Sequence, residues 1–211
     1  MNGKFIVLEG IDGAGTTSQL DRVVSFLRGL GRRAETTCEP SLGPVGKLIR
    51  EILLGNHLVP GGQKVCGEAM ALLFAADRFD HLNREVLPKL QTGIDVVSDR
   101  YLLSSLAYQS EESDVAWVET LGKGILTPDL TIVFDLPVSI AFERRRAAGR
   151  PTERYDADAT QEKVRLNYLH LANRQPRIEV VDASLSKDDV TKNICNVIAH
   201  RFNWRLSNQG F

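Results

Sequence analysis

The sequence predicts an α/β fold: a five-stranded parallel sheet with helices on both faces, built as one domain over residues 1–211. Three observations carry this. Five short apolar runs recur at wide intervals, and helical patterns lie between them. The first run ends at glycines, in Gly10-Ile11-Asp12-Gly13-Ala14-Gly15-Thr16-Thr17, and a helical pattern follows at once. Strands that alternate with helices imply right-handed crossovers and an open sheet. A chain of 211 residues, 43% hydrophobic and 25% charged, can bury a sizeable core and has an ordinary globular composition.

The apolar runs are 5–8, the weaker 34–38, 94–97, 130–134 and 178–181. Each is about the length of a strand, and several lack period-two alternation, which suits strands buried on both faces. Between them, residues 18–30 place Leu20, Val23, Val24, Leu27 and Leu30 at helical spacing, with Gly31 as the stop. Residues 44–54 repeat the pattern before Gly55. Residues 64–90 read as one long helix, bent or broken. Helical patterns over 113–121, 138–148, 161–173 and 187–202 complete the set. Nothing divides the chain. The polar tail, 203–211, is expected to fray, with Trp204 pinning its start.

Composition excludes some functions. A net charge of −1 gives no broad attraction for nucleic acid. Cys38, Cys66 and Cys195 are far apart and odd in number, which points to reduced thiols in a cytoplasmic setting rather than a disulfide or metal framework. The N-terminus enters a strand pattern without a signal-like segment, and no apolar run approaches the ~20 residues that cross a bilayer. No membrane and no nucleic-acid partner is expected.

Four stretches carry chemistry. In the first, Gly10 and Gly15 have the spacing of a phosphate-binding loop, and Thr17 stands where a magnesium-binding hydroxyl belongs. Gly13, Ala14, Gly15 and Thr16 would offer backbone N–H groups to an anion at a helix start. The lysine of that pattern is missing, because position 16 is threonine. The plain alternative is a glycine-rich turn with a threonine cap. In the second, strand 94–97 runs into Asp99-Arg100. Asp99 would face the same site as Thr17 and help hold hydrated magnesium, and Arg100 would fork onto a phosphate; a surface ion pair is the alternative. In the third, Phe74 and Arg78 share a helix face and could grip a nucleobase, or be a core ring and a solvated charge. In the fourth, residues 142–156 hold Arg144, Arg145, Arg146, Arg150 and Arg154, broken by Gly149 and Pro151. That suits a mobile arginine-rich lid over about 144–156, or a solvated helix end.

Together these stretches resemble the thymidylate kinase family, most nearly its bacterial form. The matching pieces run in family order: Leu8-Glu-Gly-Ile-Asp-Gly-Ala-Gly15, Glu39-Pro40, Ile49-Arg-Glu-Ile-Leu53, Leu73-Phe-Ala-Ala-Asp-Arg78, Ser98-Asp-Arg-Tyr-Leu-Leu-Ser-Ser-Leu-Ala-Tyr-Gln109, Pro128-Asp-Leu-Thr131 and Val181-Asp-Ala-Ser184. The resemblance implies a three-layer α/β/α fold of the phosphate-loop NTPase type. It also implies transfer of the ATP γ-phosphoryl group to dTMP, magnesium as cofactor, and a homodimer. It makes Asp12 the loop carboxylate near the sugar and reacting phosphates, and Arg100 the ligand of the acceptor phosphate. Phe74 becomes the ring on thymine and Arg78 the base-edge ligand. Tyr108 crowds the sugar 2′ position, and Glu39, Pro40, Ser105 and Gln109 complete the dTMP side. The catalytic arginine is expected from Arg146, Arg150 or Arg154. Three positions depart from the family: Thr16 for lysine, Cys38 for arginine and Ser41 for glycine. A kinase of another nucleoside monophosphate stays open as an alternative. So does a nucleotide-binding homologue impaired by Thr16.

Overall fold

The computed structural model describes residues 3–57, 59 and 62–205. Five strands, β1 (Phe5–Gly10), β2 (Ala34–Cys38), β3 (Asp95–Asp99), β4 (Leu130–Asp135) and β5 (Ile178–Asp182), form one sheet in the order β2-β3-β1-β4-β5. Every pairing is parallel. β1, at the centre, is buried along its whole length. Its side chains alternate between two cores. Ile6 and Leu8 join the main cluster with Val23, Val24 and Leu27, whereas Phe5 and Val7 join Leu82, Val86 and Leu90. The expectation of two buried faces holds for β1 and β3. It does not hold for the edge strands: β2 is half-exposed, and on β5 Val180 is 45% exposed.

The helices are α1 (Thr16–Gly29), α2 (Pro44–Leu53), α3 (Gly67–His81), α4 (Leu87–Gln91), α5 (Leu102–Tyr108), α6 (Val115–Leu121), α7 (Val138–Ala147), α8 (Asp158–Ala172) and α9 (Lys187–Phe202). The long segment expected over 64–90 is α3 and α4 joined through a π-helical turn, Leu82–Val86. Pro88 explains the widening: it cannot donate to the Arg84 carbonyl, and its ring crowds that carbonyl. α5 falls where no helix was expected. It has seven residues and no side-chain cap, so it lacks the start and stop signals that mark the longer helices. At the C-terminus, Trp204 packs on Phe202 at 4.6 Å and lies under the Arg32 guanidinium. The rest of the tail expected to fray, 206–211, lies outside the described residues.

The topology places the site. β1 connects outward to β2, whereas β3 connects across β1 to β4, so the chain diverges between the adjacent strands β1 and β3. Ligands in open α/β sheets bind at the carboxyl ends of strands at such a divergence. Here those ends are Gly10 and Asp99.

Candidate active site

A cavity of about 720 Å³ opens at this point, within the usual range for small-molecule sites. Its floor is the loop from Gly10 to α1. Gly13 (φ 89°) and Gly15 (φ 98°) adopt left-handed backbone that a side chain would strain, and a Cβ on Gly13 would also collide with the Ala141 carbonyl. Among the described residues, the N–H groups of Gly13, Gly15, Thr16 and Thr17 have no acceptor. They open at the positive end of the 14-residue α1. Thr16 is buried in the cavity wall, and the loop itself carries no cation.

Beside the loop, the Thr17 hydroxyl donates to Asp99 Oδ2 at 2.5 Å. Asp99 Oδ1 is buried without a partner. A carboxylate oxygen left unsatisfied in a buried site costs about 1–3 kcal/mol or more, unless a ligand completes it. A hydroxyl beside a carboxylate with one free buried oxygen is the kind of oxygen donor set that hard cations prefer.

Arg100 stands in left-handed backbone (φ 70°), uncommon for a residue with a side chain. Its N–H is held by the Leu8 carbonyl at 2.8 Å. Its guanidinium donates to Asp12 Oδ1 at 2.7 Å and to Ser104 Oγ at 3.1 Å. Asp12 Oδ2 accepts from Tyr108 at 3.1 Å and from Gln161 at 2.9 Å, and Gln161 Oε1 in turn accepts the Asp12 N–H. Burial keeps the Tyr108 phenol protonated well above its ordinary range, so it acts as a donor. Sequence reasoning assigned no role to Gln161, because 149 positions separate it from Asp12 and nothing local marks it.

Glu9 lies under this cluster, fully buried. It accepts from the Tyr101 N–H at 2.9 Å, from the Ser104 hydroxyl at 2.6 Å and from Tyr168 at 3.1 Å. Desolvation by burial raises its pKa from 4.5 to about 7, against the lowering effect of those donors and Arg100. A carboxyl whose folded pKa is raised binds its proton more tightly in the native state. Stability is therefore lost as pH rises from about 4.5 to about 7, by an amount on the order of 3 kcal/mol. Melting curves of the natural chain and Glu9→Gln between pH 5 and 8.5 check this. The natural chain is expected to lose stability relative to the variant as pH rises, and parallel curves would refute it.

The far wall carries Phe74, half-buried, with Glu39, Pro40, Tyr108 and Gln109. Gln109 Oε1 is buried and unpartnered. Arg78 and Ser105 sit behind this wall rather than in it. Arg78 is 2% exposed and donates to Glu39 at 2.9 Å and to Ser105 at 2.8 Å. His81, unremarked in the sequence, holds the other Glu39 oxygen at 3.2 Å. Two of the departures also line or brace this region. Cys38 faces the cavity with Arg50 beside it, and Ser41 is fastened to Asp77 at 2.6 Å.

The arginines of the lid stretch divide. Arg150 lines the cavity, Arg146 is exposed on α7, and Arg154 pairs with Glu112 at 2.8 Å away from the cavity. Arg144 and Arg145, in the last turn of α7, also line it. Arg145 donates to the Asp12 carbonyl at 2.5 Å. Arg144 donates to the Ala183 carbonyl at 2.9 Å and to the Ala14 carbonyl at 3.4 Å.

A phosphate loop, a hydroxyl–carboxylate pair and an arginine-lined cavity at the divergence of a parallel sheet define a nucleotide-binding phosphotransferase. The family model for thymidylate kinase matches residues 8–194. A probable thymidylate kinase of Pyrococcus horikoshii is 41% identical over 201 residues, 95% of this chain and 98% of that protein. The thymidylate kinase of Nitrosomonas eutropha is 38% identical over 93% of this chain and 92% of its own. The thymidylate kinase of Candida albicans superposes with a TM-score of 0.82 at 26% identity, covering 99% of this chain and 96% of its own. The chain belongs to the thymidylate kinase family, and it is a kinase of the α/β/α type expected from its sequence.

Proposed function

We propose that this kinase transfers the γ-phosphoryl group of ATP to a phosphate oxygen of dTMP, giving ADP and dTDP. One observation carries the reading. A single cavity holds, side by side, an anion-cradling loop, the Arg100–Asp12–Tyr108 cluster and the Phe74 ring. The acceptor oxygen attacks the γ-phosphorus, and the bond from that phosphorus to the β–γ bridging oxygen breaks in line. No covalent enzyme intermediate is needed, so positioning and charge neutralisation do the catalysis. The N–H groups of Gly13, Gly15, Thr16 and Thr17 hold the donor phosphates. Arg100 holds the acceptor phosphate. Asp12 orients Arg100 and, with Tyr108, meets the sugar, where a 2′-hydroxyl would crowd the phenol. Phe74 stacks on the base, with Gln109 at its edge. Arg78 acts from behind by holding Glu39 and Ser105 in place. Arg150 reaches the transferring group from the lid. Thr17 and Asp99 fit a magnesium ion, which supplies charge neutralisation at the donor phosphates when bound.

The finer assignments follow the same reading. α3 turns Leu72 (52% exposed) and Phe79 (42% exposed) outward, seven positions apart and so on one helix face, which supports a homodimer through that face. Cys38, Cys66 and Cys195 are unpaired, which supports a cytoplasmic setting. Among the described residues no helix is long and apolar enough to cross a membrane.

A panel of dTMP, dUMP, dCMP, dGMP and the ribose form of TMP tests the substrate. The expected result is a kcat/KM for dTMP at least ~10-fold above the others. Faster turnover of dCMP or dGMP would overturn the assignment.

A further inference from the structure

A donor-phosphate cradle concentrates negative charge, and backbone N–H groups alone leave much of it uncompensated. Position 16 of this chain is neutral, so the compensating charge must come from outside the loop. Five arginines line the cavity. Arg100 is engaged with Asp12 and Arg50 with the Ser41 carbonyl, which leaves Arg144, Arg145 and Arg150. Arg150 is exposed, where water screens its charge. Arg144 has its shorter bond to Ala183, at 2.9 Å, and only a 3.4 Å approach to the loop carbonyl of Ala14.

Arg145 differs from both. Its side chain is 9% exposed. Nη1 meets the Asp12 carbonyl at 2.5 Å, and its stem passes 3.0 Å from where a Cβ on Gly13 would lie. Its charge is therefore held against the back of the loop. Two carboxylates also face it. Asp156 lies 3.5 Å from Nε, and Asp158, whose side chain is 65% exposed, lies 3.8 Å from Nη2. Both contacts are longer than the one to the loop, and the second is screened. The contact orients the loop as well. In a trans peptide the carbonyl and the following N–H point in opposite directions. Drawing the Asp12 carbonyl towards Arg145 turns the Gly13 N–H to the other side, where it has no partner among the described residues.

We infer that Arg145 is the positioning residue that replaces the missing loop lysine, supplying a fixed positive charge from behind the loop and aiming the Gly13 N–H at the donor phosphates. This rests on reading the loop as the donor cradle, which binding of Mg-ATP to the natural chain tests by itself; no binding ends both readings.

The test is a cycle of kinetic constants for the natural chain, Arg145→Gln, Thr16→Lys and the double variant, with Arg145→Lys as a conservative control. The glutamine removes the charge and keeps a polar side chain, but its amide ends two bonds short of Nη1, so the lysine control separates loss of charge from loss of the contact. Arg145→Gln is expected to lower kcat at least ~30-fold in the natural chain, yet no more than ~3-fold beside Thr16→Lys, while calorimetric dTMP affinity stays unchanged. Arg145→Lys is expected to stay within ~5-fold of the natural chain. Equal fractional losses in both backgrounds would mark a structural role and overturn the inference. So would a loss below ~3-fold in the natural chain. If a lysine at position 16 is not accommodated, the control decides: equal losses from Arg145→Lys and Arg145→Gln overturn it.

Discussion

Arg100→Ala is expected to lower kcat/KM for dTMP about 1,000-fold, the largest effect of any single change at this site. Arg100 is the cation at the meeting point of β1 and β3, and its guanidinium is shared with Asp12 at 2.7 Å and Ser104 at 3.1 Å. Its removal has two costs. On the proposed assignment the acceptor phosphate would lose its forked donor, and Asp12 would keep a negative charge with only Tyr108 and Gln161 to hold it. The loss should fall mainly on dTMP, with the KM for ATP within about 3-fold of the natural value. Arg100→Lys keeps the charge but not the fork, and should recover only part of the loss. Steady-state kinetics with each substrate varied in turn check this. An equal rise in both KM values would show that the variant loosens the site as a whole.

Asp99→Asn is expected to lower kcat roughly 100-fold or more and to raise the magnesium concentration for half-maximal rate at least ~10-fold. The substitution preserves shape, so its effect isolates charge. Asp99 Oδ2 accepts the Thr17 hydroxyl at 2.5 Å, while Oδ1 is buried without a partner. A neutral amide offers one oxygen and adds donors that would point at a cation. A magnesium titration of the rate at saturating ATP and dTMP measures the shift. An unchanged midpoint would place the cation elsewhere and leave Asp99 as a brace for Thr17.

The fold was largely legible in the sequence because its signals are local. Apolar runs gave all five strands, and glycine stops gave the ends of α1 and α2. What escaped depends on context. The outer exposure of β5 depends on its place at the sheet edge, which a five-residue run does not encode. The π-turn follows from the donor that Pro88 lacks, and the short α5 carries no cap; neither shows in hydrophobic periodicity. The site divides in the same way. Thr17, Asp99, Arg100 and Phe74 sit at motif positions that the topology brings to one cavity. Gln161, Tyr168 and His81 act through long-range contacts that leave no local trace. Among the arginines, composition marked the stretch, but only the folded contacts separate Arg145, turned onto the loop, from Arg146, turned to solvent, and Arg154, beyond α7 and paired with Glu112.

The measurement that bears most directly on this enzyme is a magnesium-dependent time course of the natural chain with ATP and dTMP, following both products. ADP and dTDP are expected in equal amounts, and Thr16→Lys should raise kcat by less than about 10-fold, because the charge it adds is already supplied. Calorimetric binding of both nucleotides with no ADP formed, together with turnover appearing only in the Thr16→Lys chain, would contradict this and identify a nucleotide-binding protein that has lost its chemistry.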